Sequence, residues 1–388
     1  MKPIYLDYNA TTPVDPRVAA AMLPYIHEHF GNPSSSHIFG TTARTAVGKA
    51  RQQVADALRC RADELIFTSG GSESNNHAIK GVARAHRAKG NHIITSSVEH
   101  PAVTEVCRYL EGGGCAVTYL PVDELGRVDP RQVAQAITPR TILITIMHAN
   151  NETGTIEPIR EISQIAHRQG VLVHTDAAQS IGKIPVHVDD LGVDILSIAG
   201  HKLYAPKGIG GLYIRSGVKM EKLIHGANHE MNRRAGTENV IEIVGLGEAF
   251  QMITENLNAY REHMKRLRDR LEERLQRGYP GLRINGHPEM RLPNTCSVGF
   301  KGLTADAILS RMTDVAASPG AACHSDGVQV SSVLKAMQVP EEYAQGTIRF
   351  SVGRFTTAEE IDRAAEAILT AVESLSEGSA PSVLTREL

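Results

Sequence analysis

From about residue 43 to residue 215, short continuous runs of apolar residues alternate with segments in which apolar residues are spaced apart. Short apolar runs predict strands, and the stretches between them repeat apolar residues every three or four positions, as helices do. Helices that alternate with short strands are typical of right-handed crossovers in a parallel sheet. We therefore expect an α/β fold with a large, mainly parallel sheet of the seven-stranded type. The predicted strands are Leu65–Thr68, His92–Ser96, Ala116–Tyr119, Thr141–Met147, Val171–Thr175, Ile195–Ile198 and Gly211–Ile214, and the predicted helices are Thr42–Arg59, Asn75–Ala88, Ala102–Leu110, Pro130–Ile137 and Glu161–Arg168.

The pattern changes after Gly236, where long helices begin and apolar residues recur at helical spacing from Tyr260 to Leu275. Further on, two predicted strands, Thr295–Phe300 and Gly346–Val352, alternate with predicted helices and indicate a second, smaller α/β unit. We predict a large domain at 16–257, a small domain formed by 1–15 together with 258–376, and a flexible tail at 377–388.

Charge and cysteine content narrow the class of protein. The 388 residues carry 41 Lys and Arg against 43 Asp and Glu, without a long run of either sign, so neither nucleic acid nor a membrane surface is an expected partner. The apolar runs are shorter than the ~18 residues of a membrane span, and no signal-peptide pattern opens the chain. Five cysteines without a CxxC pair indicate free thiols in a reducing compartment. We expect a cytoplasmic protein.

A glycine-containing turn follows the first predicted strand, in the segment from Leu65 to Asn76. Gly70 and Gly71 let the backbone approach a ligand closely, Ser72 is suited to cap a helix, and free amides at a helix start favour a phosphate. The segment matches neither the P-loop nor the dinucleotide fingerprint. By itself it also fits a plain strand-to-helix connection.

Two ionisable residues follow later predicted strands. Asp176 comes after Val171–Thr175, at the sheet edge where α/β proteins place ligands. It fits a solvent-facing turn, or a carboxylate that keeps the ring nitrogen of pyridoxal 5′-phosphate protonated. Lys202 follows another strand and precedes a glycine-rich turn, a position suited to a Schiff base with an aldehyde. The order of phosphate turn, Asp176 and Lys202 favours pyridoxal 5′-phosphate as the cofactor.

A histidine and a cysteine complete the candidate chemistry. His100 follows the strand His92–Ser96, where an imidazole can stack on a flat cofactor and move protons. Cys323 lies in Ser318–Gly327, which has no helical or strand period, so we expect an exposed, mobile loop thiol suited to nucleophilic attack. The other cysteines lie in helix or strand patterns and are expected in the core. His225 and His229 lack a third ligand at suitable spacing, so no metal site is predicted.

Together these segments resemble the cysteine desulfurases of the NifS and IscS type, which belong to the fold type I pyridoxal phosphate enzymes of aminotransferase class V. The resemblance covers nearly the whole chain, and its motifs are highly specific. Some motifs also resemble selenocysteine lyase, a close relative. The motifs are Tyr5–Thr12, Gly31–Ser35, Asn150–Gly154, His174–Gln179, Gly200–Lys202 and Ile348–Ser351, and those shared with selenocysteine lyase are Arg234–Asn239, Leu292–Cys296 and Gly320–Asp326.

The resemblance implies a role for each matching residue. Lys202 would carry the cofactor as a Schiff base and Cys323 would accept sulfur. Thr237 would reach the cofactor phosphate of a neighbouring subunit, which implies a homodimer with shared sites. Asp176 would pair with the pyridine nitrogen, and His100 would stack on the ring. The ring hydroxyl would contact Asn151 and Gln179, and the phosphate would contact Gly71, Ser72 and His201. Arg349 would bind the substrate carboxylate, with Asn151 as a further substrate contact.

The implied reaction converts L-cysteine to L-alanine and leaves a persulfide on Cys323, for transfer to an acceptor protein such as an iron–sulfur cluster scaffold. One position departs from the desulfurase pattern, and another does not distinguish a desulfurase from a selenocysteine lyase. Ala199 stands where desulfurases usually have serine, so one phosphate hydrogen bond is expected to be missing, and Pro101 does not distinguish sulfur from selenium.

Three alternatives remain at this point. A selenocysteine lyase would prefer L-selenocysteine, and a pyridoxal phosphate aminotransferase would not need Cys323. A non-catalytic sulfur-assembly scaffold would need a defective cofactor site, against which Lys202, Asp176 and His100 argue.

Overall fold

The computed structural model describes residues 3–324 and 327–378, with the backbone alone at 321–324, 327–329, 377 and 378. In chain order the strands are β1 (Ile4–Tyr5), β2 (Leu65–Thr68), β3 (His92–Ser96), β4 (Ala116–Leu120), β5 (Thr141–Thr145), β6 (Leu172–Asp176), β7 (Ile195–Ala199), β8 (Gly210–Ile214), β9 (Leu282–Asn285), β10 (Thr295–Phe300), β11 (Val315–Ala316), β12 (Ser318–Pro319), β13 (Ala321–His324), β14 (Gly327–Val330) and β15 (Thr347–Ser351). The helices are α1 (Pro16–His27), α2 (Ile38–Leu58), α3 (Gly71–Ala85), α4 (Pro101–Gly112), α5 (Pro130–Ala136), α6 (Ile159–Arg168), α7 (Val188–Leu191), α8 (His229–Asn232), α9 (Val240–Gly278), α10 (Ala305–Arg311), α11 (Ser332–Ala336), α12 (Glu341–Ala344) and α13 (Ala358–Gly378).

A large sheet has the strand order β2-β8-β7-β6-β5-β3-β4. The pairs between β4 and β7 are parallel, whereas β8 is antiparallel to both of its neighbours. Neighbouring residues such as Ile93 and Ile94 enter different apolar clusters, because successive side chains of a strand point to opposite faces. Helices cover both faces, which buries β2, β3, β5, β7 and β8 completely. This confirms the expected α/β class with a mainly parallel sheet.

The carboxyl ends of six strands meet at one edge of this sheet. Because β8 is antiparallel to both β2 and β7, β2 runs in the same direction as β7. The carboxyl ends of β2, β3, β4, β5, β6 and β7 therefore share an edge, which is where open α/β sheets bind ligands.

A second, antiparallel sheet has the order β12-β15-β10-β9. The amino-terminal segment joins this part of the chain, since β1 pairs with β11 and Asp7 bridges to Ser351 at the end of β15. The segment then crosses to the large sheet, where the backbone N–H of Thr12 donates to the carbonyl oxygen of His201 (3.0 Å). Residues before Thr12 thus connect the small sheet with the ligand edge of the large one.

The helix α9 connects the two cores. Its first half places Leu246 and Phe250 in the cluster beneath the large sheet, and its second half places Leu267 and Leu271 in the cluster of the small sheet. The helix runs through residue 258 without a break. Our division of the chain at 257/258 falls between these two sets of contacts and stays a prediction.

The expectation of an irregular loop around Cys323 was wrong for the backbone. β13 and β14 pair as antiparallel strands, with Cys323 opposite Val328 and His324 opposite Gly327. Antiparallel pairing is held by backbone hydrogen bonds, so it does not require the side-chain alternation that this stretch lacks. Of the tail predicted at 377–388, residues 377 and 378 belong to α13, and residues 379–388 lie outside the described chain. Within the described ranges, no helix combines the length and apolarity that crossing a membrane requires.

Candidate active site

A pocket of about 680 Å³ lies at the carboxyl edge of the large sheet. Its walls come from the start of α3, from the turns after β3, β5, β6 and β7, from the amino-terminal segment and from β15. The fold thus gathers residues that are up to 340 positions apart in sequence, from Asn9 to Arg349. The predicted site residues that line it are Gly71, Ser72, His100, Asn151, Asp176, Gln179, His201, Lys202 and Arg349.

The start of α3 supplies an anion site. Gly70 precedes the helix in a backbone conformation with φ of 147°, which glycine adopts freely, and no side chain caps the helix. The amides of the first turn therefore remain available to the pocket, where the positive end of the helix dipole favours a phosphate. Lys207 and His201 lie on the same pocket wall. These donors fit the phosphate of pyridoxal 5′-phosphate.

Asp176, the last residue of β6, is 8 % exposed. Its Oδ1 accepts from the backbone N–H of Ala178 (2.9 Å), and its Oδ2 accepts from Nδ2 of Asn75 on α3 (2.6 Å). Because both carboxylate oxygens are held, the side chain has a fixed orientation at the pocket wall. A fixed carboxylate fits the protonated ring nitrogen of the cofactor. Asn75 was not predicted as a site residue, although it lies within the glycine-turn segment from Leu65 to Asn76.

Lys202 lies in the short turn after β7, and its Nζ donates to the carbonyl oxygens of Asn9 (2.5 Å) and Ala10 (2.8 Å). Burial lowers the pKa of Lys202 to about 8, and the positive charge of Arg349 adds to this effect. Asp176 and Asp7 act in the opposite direction. A lysine with a pKa near 8 supplies a neutral amine close to neutral pH, as Schiff-base formation and proton transfer require.

Two histidines face the pocket. The Nδ1 of His100 accepts the backbone N–H of Ala102 (3.1 Å) and caps α4, so in the neutral ring the proton resides on Nε2. The surrounding protein partly desolvates the imidazole of His100, which lowers its pKa, even though part of the residue is exposed to solvent. Burial and nearby Lys202 lower the pKa of His201 to about 4, so both rings are neutral at neutral pH.

Arg349, on β15, is the cation contributed by the small sheet. Its Nη2 donates to Oδ1 of Asp7 (2.7 Å) and to Oγ of Ser318 (3.0 Å), and its Nη1 donates to the carbonyl oxygen of Asn151 (3.0 Å). Three of its five N–H groups are therefore held by protein oxygens, and Nε is buried without a partner among the described residues. The guanidinium is held at the pocket with donors left for a carboxylate.

A buried polar group behind the pocket was missed by the sequence analysis. Asn9 is 1 % exposed, and its carbonyl oxygen accepts from both Lys202 Nζ (2.5 Å) and Gln179 Nε2 (3.0 Å). Its Nδ2 also donates to the carbonyl oxygen of Asn151 (3.1 Å). Asn9 lies within the motif Tyr5–Thr12, but its role depends on contacts that no local spacing reveals.

One predicted site residue, Thr237, does not line this pocket in the described structure, and the position of a second, Cys323, is described for the backbone alone. Thr237 is exposed, two residues before the N-cap of α9, and is absent from the pocket wall of its own chain. The backbone of Cys323 lies on β13, and its side chain lies outside the described residues. In the described part of the chain, no group of three or more His, Cys, Asp or Glu is arranged to hold a metal ion.

Comparisons with known proteins identify the family of the chain. The family model described as "Aminotransferase class-V" matches residues 4–364. A cysteine desulfurase IscS from Dictyoglomus turgidum is 49% identical over 374 residues, which cover 96% of this chain and 95% of that protein. A solved structure described as a NifS-like protein has a TM-score of 0.90 and 38% identity, and the match covers 97% of this chain and 100% of the other. Another, described as "SspA in complex with cysteine", has a TM-score of 0.78, 36% identity and coverage of 91% and 99%.

These matches confirm the resemblance stated from the motifs. They span almost the entire chain, and the pocket has donors for a phosphate, a fixed carboxylate and a lysine with a lowered pKa. The chain belongs to the aminotransferase class-V family and is a fold type I enzyme that depends on pyridoxal 5′-phosphate.

Proposed function

We propose that this enzyme is a cysteine desulfurase, which converts L-cysteine to L-alanine and transfers the sulfur to Cys323. The observation that carries the proposal is one pocket in which Lys202, Asp176 and the uncapped start of α3 face Arg349 from the small sheet. The relatives named cysteine desulfurase, and the similar structure that contains cysteine, favour sulfur chemistry over selenium chemistry or transamination.

In this proposal Lys202 holds the cofactor and moves the substrate proton. The bound pyridoxal 5′-phosphate acts as an electron sink for the carbon next to the substrate amine. With a pKa near 8, Nζ of Lys202 is able to accept a proton and return it at neutral pH. Asp176 would pair its negative charge with the cofactor ring nitrogen, and Asn75 keeps that carboxylate in place. His100 would stack on the cofactor ring, and its Nε2 faces away from the backbone contact at Nδ1.

Phosphate and ring-hydroxyl contacts complete the proposed cofactor site. Gly71 and Ser72 offer the amides of the first turn of α3, and His201 lies on the same wall. Asn151 and Gln179 lie on the side of the pocket near Asn9 and are proposed to contact the ring hydroxyl.

Arg349 is the proposed binding group for the substrate carboxylate, with Asn151 beside it. A guanidinium suits a carboxylate because it offers parallel N–H donors. Asp7 and Ser318 hold one side of the guanidinium and so limit its rotation. The substrate is thereby oriented with its amine toward Lys202.

The sulfur acceptor is Cys323. Its thiolate attacks the sulfur of the bound substrate, the carbon–sulfur bond breaks, and a proton is returned to the former thiol-bearing carbon, giving Cys323 persulfide and L-alanine. The hairpin β13–β14 is tied near the pocket at its base, since Ser331 Oγ donates to Oε2 of Glu152 (2.6 Å) and the Gly320 N–H donates to the carbonyl oxygen of Thr347 (2.7 Å). Glu152 follows Asn151 of the pocket wall directly, which supports delivery of Cys323 to the substrate.

We also propose a homodimer in which Thr237 serves the partner's cofactor phosphate. Thr237 is exposed on its own chain. Nearby, Pro33 and Ser34 line a surface pocket together with 227–231 and Glu238. An exposed apolar surface adjoins that region, and Phe30, at 75 % exposure, stacks on Phe39 (5.5 Å between ring centres). A second copy of the chain would cover these rings.

Subunit mixing tests this arrangement. Lys202→Ala and Thr237→Ala homodimers should both lose activity, whereas mixed dimers should regain up to one intact site in two. Absence of that recovery in dimers shown to be mixed would mean that Thr237 serves its own chain or no site at all. We also propose that the enzyme acts in the cytoplasm and that an iron–sulfur scaffold protein accepts the sulfur from Cys323.

The experiment that tests the reaction follows L-alanine together with sulfide or selenide under anaerobic conditions, with L-cysteine and L-selenocysteine as substrates. Wild type should form alanine from L-cysteine, and Cys323→Ser should lose this activity while retaining the bound cofactor. Alanine from L-selenocysteine alone would identify a selenocysteine lyase. Undiminished activity of Cys323→Ser on L-cysteine would remove Cys323 as the sulfur acceptor.

A further inference from the structure

Lys183 places a buried amine behind the active-site pocket. It is 5 % exposed, and its Nζ donates to two amide oxygens, Oε1 of Gln179 (2.7 Å) and Oδ1 of Asn9 (3.0 Å). Neither the motifs nor the proposed reaction assigns this lysine a role. Burying an amine is unfavourable unless its donors are satisfied, so these two contacts call for an explanation.

The contact with Lys183 determines which way the Gln179 carboxamide points. The carbonyl oxygen of Asn9 can only accept a hydrogen bond, so it faces Nε2 of Gln179, and Oε1 lies on the opposite side toward the donor Nζ of Lys183. One Nε2 proton goes to the carbonyl oxygen of Asn9 (3.0 Å). The second Nε2 proton has no other recorded acceptor, and Gln179 lines the pocket.

The second acceptor, Asn9, is fixed by contacts on every side. Its Oδ1 also accepts from Nδ2 of Asn294 (2.9 Å), and its Nδ2 donates to the carbonyl oxygen of Asn151 (3.1 Å) and to Oγ1 of Thr295 (2.9 Å). Both amide protons and two lone-pair directions of this side chain are therefore used. Asn9 is unable to rotate without breaking several bonds, so it holds Lys183 in place against Gln179.

Lys183 acts as a hydrogen-bond donor rather than as a counter-charge. Within the described residues no carboxylate forms an ion pair with its Nζ, and its two partners are neutral amides. Burial, reinforced by the positive charges of Lys202 and Arg349, lowers the pKa of Lys183 well below its usual value. Both acceptors are amide oxygens, so Nζ serves as the donor in each of these two contacts.

We infer that Lys183 is a positioning residue, which orients the Gln179 amide so that an N–H, and not the carbonyl oxygen, faces the ring-hydroxyl side of the bound cofactor. This inference rests on the proposed placement of the cofactor ring beside Gln179. Without Lys183, only the contact of Nε2 with the Asn9 carbonyl oxygen (3.0 Å) opposes a turn of the Gln179 amide that presents Oε1 to the pocket. An oxygen there would repel an ionised ring hydroxyl, whereas an N–H stabilises it.

A double-mutant cycle on cofactor binding tests the inference. The dissociation constant of pyridoxal 5′-phosphate and the pH midpoint of its visible absorbance change are measured for wild type, Lys183→Met, Gln179→Leu and the double variant. Lys183→Met should weaken binding about five- to tenfold and shift the midpoint upward, because the N–H that stabilises the ionised hydroxyl is lost. In the Gln179→Leu background the same substitution should change binding less than twofold. Lys301→Met, at an exposed lysine in the small sheet region, is the control and should change neither quantity.

Each outcome decides the matter. Equal losses in both backgrounds would show that Lys183 acts on stability alone, and an unchanged Lys183→Met protein would show that it has no role in the site. Because the measurements use cofactor binding, they stand apart from the cysteine assay. A protein that binds the cofactor normally but makes no alanine would contradict the proposed reaction and leave this inference intact.

If Lys183→Met fails to fold, Gln179→Glu provides the second test. A carboxylate at position 179 should pair with Lys183 and leave the melting temperature within a few degrees of wild type. Gln179→Glu should nevertheless weaken cofactor binding as Gln179→Leu does, because the N–H is gone. Normal cofactor binding by Gln179→Glu would overturn the inference.

Discussion

Arg349→Lys is the sharpest test of how the enzyme holds its substrate. The guanidinium has five N–H groups, and protein oxygens from Asn151, Asp7 and Ser318 take three of them. The two that remain are on the buried Nε and on Nη1, and they do not lie parallel. A two-pronged pair with a substrate carboxylate therefore uses Nη1 together with an Nη2 proton that Ser318 releases. A lysine keeps the positive charge but offers a single nitrogen, so at least one charge-assisted hydrogen bond to the substrate is lost.

The expected loss follows from the strength of one such bond, about 1.5–3 kcal/mol. This corresponds to a decrease of about 10- to 150-fold in kcat/KM for L-cysteine. Most of the change should appear in KM, because the carboxylate is held equally in the ground state and in the transition state. Arg311→Lys, at an exposed arginine ending α10, is the matched control and should leave kcat/KM within twofold of wild type.

The assay compares binding of L-cysteine with binding of cysteamine, which lacks the carboxylate, by the change in cofactor absorbance. Wild type should favour L-cysteine, and Arg349→Lys should remove most of that preference while leaving cysteamine binding nearly unchanged. If the substitution weakened both ligands equally, Arg349 would serve the structure of the pocket through Asp7 and would not bind the carboxylate.

Three further predictions follow from the same pocket. Asn75→Ala removes the hydrogen bond to Asp176 Oδ2 (2.6 Å). It should weaken pyridoxal phosphate binding on the order of tenfold, measured by equilibrium dialysis. An unchanged dissociation constant would mean that Asp176 does not need Asn75 to hold its orientation. The pKa of Lys202 is lowered to about 8, so the neutral amine fraction, and with it the rate of cofactor incorporation into apoprotein, should rise as pH increases through 8 and level off above; a midpoint near 10.5 would contradict this. Ala199 faces the start of α3, since a Cβ built on Gly71 would lie 3.1 Å from its own Cβ, so Ala199→Ser should place a hydroxyl at the phosphate turn and slow cofactor loss modestly during dialysis. Equal retention by both proteins would refute that last expectation.

Local patterns were sufficient for most of the secondary structure. The predicted strands Leu65–Thr68, His92–Ser96 and Thr295–Phe300 agree with β2, β3 and β10 at both ends. They are short runs of buried residues bounded by turn-forming or charged ones, and such boundaries can be predicted from the neighbouring residues in the sequence. The hairpin carrying Cys323 shows the limit, because its strands are defined by pairing with each other and not by a period within either strand.

The sequence by itself determined the class of fold and the cofactor, and it predicted the reactive residues Asp176 and Lys202, because strand ends and glycine turns are local features and both residues lie at or just after the end of a strand. Only the tertiary structure decided how they act together. The antiparallel β8 between β7 and β2 brings the start of α3 to the same edge as Lys202. Asn9 and Lys183 acquire their roles through hydrogen bonds across 174 positions of the chain. Such contacts depend on the directions of side chains in the folded protein, so the spacing of residues along the chain does not predict them.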